Sequence, residues 1–183
     1  CTPQSQKTVV VASKPHAEQY ILAEMISLLI ETHTDITVEK KIGIGGGTAN
    51  IHPAMMNGEI DIYPEYTGTG LLFVLKDDLI VDPAELYDSV KSRYMEEYNL
   101  QWMGLYGFNN TYALTVKGPT AEKYNLETYE DLALASKDLV FGAEYDFFER
   151  DDGYEALKDA YGFEFEDTKE MDIGLKYEAI GSD

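Results

Sequence analysis

Thr8-Val-Val-Val-Ala12 is a short run of β-branched apolar residues followed at once by helical spacing, and that succession sets the class of fold. An apolar run of this length suits a strand covered on both faces, as in a parallel sheet. Ser13 is read as the N-cap and Pro15 as near the first position of a helix that runs to about Thr32. The polar residues Glu24, Ser27 and Glu31 fall on one stripe of that helix, so most of it is expected to be buried. Residues 36–42 alternate as a second strand, and 43–47 turn into a short helix that stops near Asn57-Gly58. Pro53 sits awkwardly inside that helix. A third strand is expected over 59–63.

The alternation continues. The spacing predicts a helix over 83–98, strands over 101–104 and 112–116, and helices near 128–136 and 153–161 with a strand over 139–142 between them. A strand over 163–165 and a helix over 173–180 complete the series. Strands alternating with helices predict an α/β fold with mainly parallel sheets. The glycines between Gly104 and Gly107 mark the expected break between two β/α blocks. Loops at the carboxyl ends of strands, at 13–19, 63–69 and 110–112, are where such a fold gathers a ligand site.

Composition narrows the chemistry. Against 34 acidic residues stand 14 basic ones, a net charge of −20 that would repel a phosphate backbone, so no nucleic acid partner is expected. The surface is biased weakly towards small cations, an effect that salt screens beyond about 8 Å. With 44% hydrophobic residues the chain can build a core. Its longest apolar stretch, 20–30, is broken by Glu24 and Ser27 and falls short of the roughly 20 residues of a membrane span. The single cysteine is Cys1, so no intrachain disulfide can form. Cys1 before a polar stretch looks like the processed end of a bacterial lipoprotein, with lipid on Cys1 and residues 2–6 as a tether.

Catalytic signatures are lacking. There is no Gly-x-Ser-x-Gly elbow. His16, His33 and His52 fall at no metal-ligand spacing, and the 43–47 loop has neither the Gly-Lys-Ser/Thr ending of a phosphate loop nor a dinucleotide fingerprint. Carboxylates such as Glu144, Asp151 and Asp152 are numerous enough for chance pairs. The reading is therefore no catalytic residue, no cofactor and no metal.

Asp61-Ile-Tyr-Pro-Glu-Tyr-Thr-Gly-Thr-Gly70 points elsewhere. Two tyrosines flank a Pro-Glu pair on a stiff loop, presenting flat aromatic faces. A quaternary ammonium has no N–H to donate, so it is recognised mainly through electron-rich ring faces. Packing of these rings against their neighbours is the plainer alternative.

Several motifs in register decide between the two. Ser13-Lys-Pro-His-Ala-Glu-Gln-Tyr-Ile-Leu-Ala-Glu-Met25, Gly45-Gly-Gly-Thr48 and Gly58-Glu-Ile-Asp-Ile-Tyr-Pro-Glu-Tyr-Thr-Gly-Thr69 closely resemble the substrate-binding proteins of osmoprotectant ABC importers. Asn110-Thr-Tyr-Ala-Leu114, Phe141-Gly-Ala143, Glu149-Arg-Asp-Asp-Gly-Tyr154 and Tyr161-Gly162 continue the likeness in order, from about residue 8 onward. That family captures glycine betaine, choline, carnitine and related quaternary ammonium compounds.

The resemblance implies a two-lobed, periplasmic-binding-protein-like (type II) fold. Residues 1–6 would be the lipoprotein tether, 7–105 lobe I, and 106–183 a lobe II that is incomplete beside its family. It implies Tyr66 and Tyr112 as walls of an aromatic cage, Thr69 and Asn110 lining the same pocket, and Gln19 at its edge. Lys14 and Arg150 match positions that can bind a ligand carboxylate, a role suited to charge-assisted hydrogen bonds. Tyr63 is expected to pack beneath the loop. The implied partners are a quaternary ammonium molecule and an ABC permease. The implied location is extracytoplasmic, anchored through Cys1, in a Gram-positive cell. Ending after a helix where the family has another strand, the chain is also expected to self-associate. Two other functions fit less well. A cationic amino acid or polyamine would call for pocket carboxylates, which the named set lacks; an enzyme acting on choline-like compounds would need catalytic groups.

Overall fold

The β-branched run does form a strand, β1 (Thr8–Ala12), with helix α1 (Ala17–His33) after it. These and all later elements come from a computed structural model that describes residues 7–182. Cys1 and the tether expected over 1–6 lie outside the described residues. The chain divides into two compact units between Glu65 and Tyr66. Lobes over 7–105 and 106–183 stay a proposal about the whole fold.

In the first unit β2 (Thr37–Lys41) pairs with β1 in parallel, from Thr8↔Thr37 to Ala12↔Lys41. The third strand expected over 59–63 contracts to one parallel bridge, Val11↔Ile62. Pro64 follows immediately and has no N–H with which to extend a ladder. Helix α1 starts at Ala17, not at Pro15, with His16 at the N-cap and no side-chain cap. Ser13 is fully buried and does a different job: its hydroxyl accepts from Gly43 N at 3.0 Å, and its carbonyl accepts from Ile44 N at 2.9 Å. It fastens the exit of β2 to the end of β1.

The buried face of α1 is Gln19, Leu22, Ala23 and Ser27, while Ile21, Met25, Leu28 and Leu29 are each more than half exposed. The expectation of a largely buried helix is thus corrected. Small residues face the sheet, and Ser27 turns its hydroxyl onto its own helix, donating to Ala23 O at 2.8 Å. Helix α2 (Thr48–Met56) carries Pro53 within it, and its Ile51 joins Ala12 and Ile60 in the core of this unit.

The second unit opens with α3 (Thr67–Thr69), which widens into a π-helical turn over Gly70–Leu75. Helix α4 (Pro83–Tyr98) has the expected bounds for visible reasons. Asp82 accepts from Ala84 N and Glu85 N, Pro83 holds the first position, and Asn99 closes the helix in the left-handed region at φ 55°. Leu71, Leu72, Leu75, Val90 and Tyr94 form its core, with Trp102 packed against them. Residues 99–117 hold no regular element, so the strands expected over 101–104 and 112–116 are not formed. Neither segment has a ladder partner among the described residues.

Helices α5 (Gly118–Tyr124) and α6 (Tyr129–Ala135) follow, the second begun by a reciprocal Thr128–Asp131 capping box. A single 3-10 turn, Ser136–Asp138, leads into β3 (Val140–Ala143). Then come α7 (Tyr145–Glu149), α8 (Tyr154–Tyr161), β4 (Asp167–Glu170) and α9 (Ile173–Gly181), with β4 parallel to β3. The strand expected over 163–165 therefore lies four residues later. Phe163 and Phe165 are drawn into an aromatic cluster instead, each ring 5.1 Å from a neighbour: Phe163 from Phe165, and Phe165 from Phe141.

Gly153 separates α7 from α8 under tight contact, since a Cβ there would lie 1.9 Å from the Phe147 carbonyl oxygen. Gly153→Ala should therefore cost at least the roughly 1–3 kcal/mol of an overpacked interior. Urea denaturation should show a clearly lower midpoint, and an unchanged midpoint would mean that the turn yields freely.

Candidate functional site

The end of β1 delivers Lys14 into a buried corner of the first unit. Its backbone N–H donates to Gln19 Oε1 at 3.3 Å, across the bend that precedes α1. Gln19 is fully buried, and its Nε2 has no hydrogen-bond partner among the described residues. An unsatisfied buried donor costs on the order of 1–3 kcal/mol, which an acceptor reaching Gln19 Nε2 would relieve.

The Lys14 ammonium lies 2.5 Å from Glu65 Oε1, with the two side chains only 10% and 5% exposed. Glu65 Oε2 accepts from the Thr48 hydroxyl at 2.8 Å, at the start of α2. His52, one turn further along α2, has its pKa pushed below the usual 6.5 by burial, with the Glu65 charge pulling the other way.

The second unit brings Thr69, Tyr112 and Arg150 together. Arg150 makes a two-pronged pair with Asp152, Nε to Oδ1 at 2.7 Å and Nη2 to Oδ2 at 2.8 Å, while Nη1 donates to Thr69 Oγ1 at 3.2 Å. Its guanidinium carbon sits 5.6 Å from the centre of the Tyr112 ring. Burial would lower the Arg150 pKa, but the hydrogen bond to Asp152 and the surrounding charges outweigh it and hold the group above its usual value. Tyr112 rests on Phe147, ring centres 4.9 Å apart, and is 55% exposed. Burial of part of its environment raises the phenol pKa, against the pull of Arg150.

Tyr66 stands at the N-cap of α3, and its carbonyl accepts from Gly70 N at 2.9 Å. That places it three residues before Thr69. Asn110 is exposed in the irregular stretch two residues before Tyr112.

The two cations of the named set are each paired with a carboxylate outside it, Glu65 on Lys14 and Asp152 on Arg150. Glu65 was in plain view beside Tyr66, but its partner lies 51 residues away and no local pattern pairs them. Thr48 was missed for the same reason. Among the described residues no group of three or more His, Cys, Asp or Glu side chains could hold a metal ion. No helix among them is long and apolar enough to cross a membrane.

The family described as the substrate-binding domain of ABC-type glycine betaine transport systems matches residues 7–182. The chain belongs to this family. Among curated family members, the ergothioneine transport permease/ergothioneine binding protein EgtU of Helicobacter pylori is 50% identical over 179 residues, covering 97% of this chain and 32% of that protein. The carnitine transport binding protein OpuCC of Listeria monocytogenes is 36% identical over 178 residues, 96% of this chain and 58% of that one. A solved glycine betaine/carnitine/choline ABC transporter structure superposes with a TM-score of 0.64 at 35% identity, covering 97% of this chain and 65% of its own. The fold is therefore that of the periplasmic-binding-protein-like glycine betaine binders. The chain spans less than two thirds of each of these family proteins.

His52 supplies a pH prediction. Its folded-state pKa lies below 6.5, so the unfolded chain takes up a proton first as pH falls. Its contribution to stability is present above about pH 6.5 and is lost below it. Denaturation midpoints at pH 7.5 and 5.0 should draw closer together in His52→Gln, and an unaltered gap would assign the loss to other groups.

Proposed function

We propose that this chain captures quaternary ammonium osmoprotectants, such as glycine betaine, choline and carnitine, for delivery to an ABC importer. The observation that carries the reading is the half-exposed Tyr112 ring, already facing a guanidinium, beside Thr69 and Arg150 in a chain of this family. A ring that attracts one delocalised cation is suited to attract another.

Tyr66 and Tyr112 are assigned as aromatic walls for the trimethylammonium group, with Thr69 and Asn110 lining the same pocket. Gln19, whose Nε2 lacks a hydrogen-bond partner, is assigned as a donor to the ligand, and Lys14 and Arg150 serve its carboxylate end. The work is binding without covalent chemistry. The same proposal includes an extracytoplasmic location and docking on a permease.

A second reading is favoured by the 50% identity to an ergothioneine binding protein. Ergothioneine is a trimethylammonium betaine on an amino-acid skeleton, so the same aromatic walls and carboxylate partners would serve it. A cationic amino acid or polyamine fits less well, because Glu65 and Asp152 are engaged with Lys14 and Arg150.

Calorimetry against glycine betaine, carnitine, choline, ergothioneine and lysine tests the proposal. Binding of at least one trimethylammonium compound and not lysine is expected; lysine alone, or turnover of any of them, would overturn it. Replacing Tyr66 or Tyr112 by Ala should weaken binding by about 1–2 kcal/mol per residue, and replacing either by Phe should cost much less, because the ring face is kept. The two losses need not add, since both rings would face one ligand. Equal losses for Phe and Ala would assign the work to the hydroxyls.

A further inference from the structure

We infer that Glu65 determines the site's selectivity between zwitterionic and purely cationic ligands, by cancelling the charge of Lys14. This inference rests on the binding reading above. Lys14 and Glu65 are both nearly excluded from water and are in direct contact at 2.5 Å, so the pair presents no net charge. The Thr48 hydroxyl holds the second oxygen of Glu65 at 2.8 Å, which keeps the carboxylate turned towards Lys14. Beside the pair stands Gln19, a neutral donor whose Nε2 has no partner among the described residues. The first unit therefore offers a ligand hydrogen bonding beside a pair of no net charge.

The consequence is chemical. A betaine carries a carboxylate and a choline a hydroxyl, and both accept a hydrogen bond from a neutral amide. An uncompensated Lys14 would strongly favour the carboxylate and oppose the choline, because charge interactions are weakly screened where water is excluded. With Glu65 in place that preference is muted and the site tolerates both. Glu65 also directly precedes Tyr66, the assigned aromatic wall, so the charge-balancing group and the ring are consecutive on one short segment.

Two accounts of Glu65 predict opposite results. If it only positions Lys14 to grip a ligand carboxylate, Glu65→Gln should weaken betaine more than choline. If it cancels Lys14, the same change should strengthen betaine relative to choline. Lys14→Met removes the cation that Glu65 contacts and should shift the preference towards choline.

The experiment is calorimetry of glycine betaine and choline on the purified full-length protein and its variants at one ionic strength. The readout is the ratio of the two Kd values. A shift of about tenfold towards betaine in Glu65→Gln and about tenfold towards choline in Lys14→Met is expected. The double variant leaves no unpaired charge and should return to within about threefold of the wild-type ratio.

Unchanged ratios in both single variants, or shifts of the same sign, would overturn the inference. Should a single variant not melt cooperatively, the double variant decides: a wild-type ratio supports the charge balance, and a shift of about tenfold refutes it. Wild-type protein that binds neither ligand while binding lysine would instead bring down the binding reading, and this inference with it.

Discussion

The short backbone pairing between β1 and residues 61–62 is the constraint on which the chemistry of the first unit depends. Val10 O accepts from both Asp61 N and Ile62 N, at 3.0 and 3.1 Å, and Ala12 N donates to Ile62 O at 2.9 Å. The Asp61 carboxylate returns a bond by accepting from Val10 N at 2.7 Å. Together these close the chain on itself, so that Lys14, just past the strand, meets Glu65, just past the bridge. Thr48 must then arrive at the start of α2 to complete the carboxylate's hydrogen bonds. A buried ion pair gains little over an apolar pair of the same shape, but breaking one by removing a partner costs about 3–5 kcal/mol. The pair is therefore better understood as something the fold maintains for its chemistry than as a source of stability.

What the sequence reveals differs sharply between helices and strands. Helix α4 was legible to the residue because its ends are written locally, by Pro83 at the first turn and polar residues about it, and α6 because Thr128 and Asp131 cap each other. A strand exists only if another segment pairs with it, and that segment is remote. Residues 101–104 and 112–116 have strand-like composition but no ladder. Asp167–Glu170, all exposed and without apolar alternation, forms a strand because β3 lies alongside. Helix α1 shows a further limit. Its apolar residues outnumber what this unit covers, so the face turned to the sheet was chosen by the small residues Ala23 and Ser27.

The candidate site was legible in the same uneven way. The tyrosines of one segment, Tyr63 and Tyr66, stand out by themselves, whereas Lys14, Gln19, Thr69, Asn110, Tyr112 and Arg150 are named only through several motifs in register with a family. Their hydrogen-bond partners, Glu65, Thr48 and Asp152, depend on contacts that neither route encodes. Aromatic abundance compounds the difficulty. Phe141, Phe147, Phe148, Tyr154 and Phe165 pack against one another, tilted or edge-on, in the second unit. Tyr112 touches that cluster through Phe147 yet keeps 55% of its surface exposed.

Electrostatics in this chain operates on two separate scales. The net charge of −20 lies overwhelmingly on exposed side chains, where salt screens it beyond about 8 Å, so it biases encounter with cations and little more. The Glu65 side chain is only 5% exposed, and two cations, Lys14 and Arg150, are buried in a chain where acids outnumber bases by more than two to one. Each is matched by a carboxylate within 2.7 Å. A buried cation left uncompensated would attract the nearest anion, whatever its shape. Compensation removes that indiscriminate pull. Under the binding reading proposed above, recognition would then rest on direction and shape, with Tyr112 offering a ring that reads a diffuse cation without requiring a proton from it.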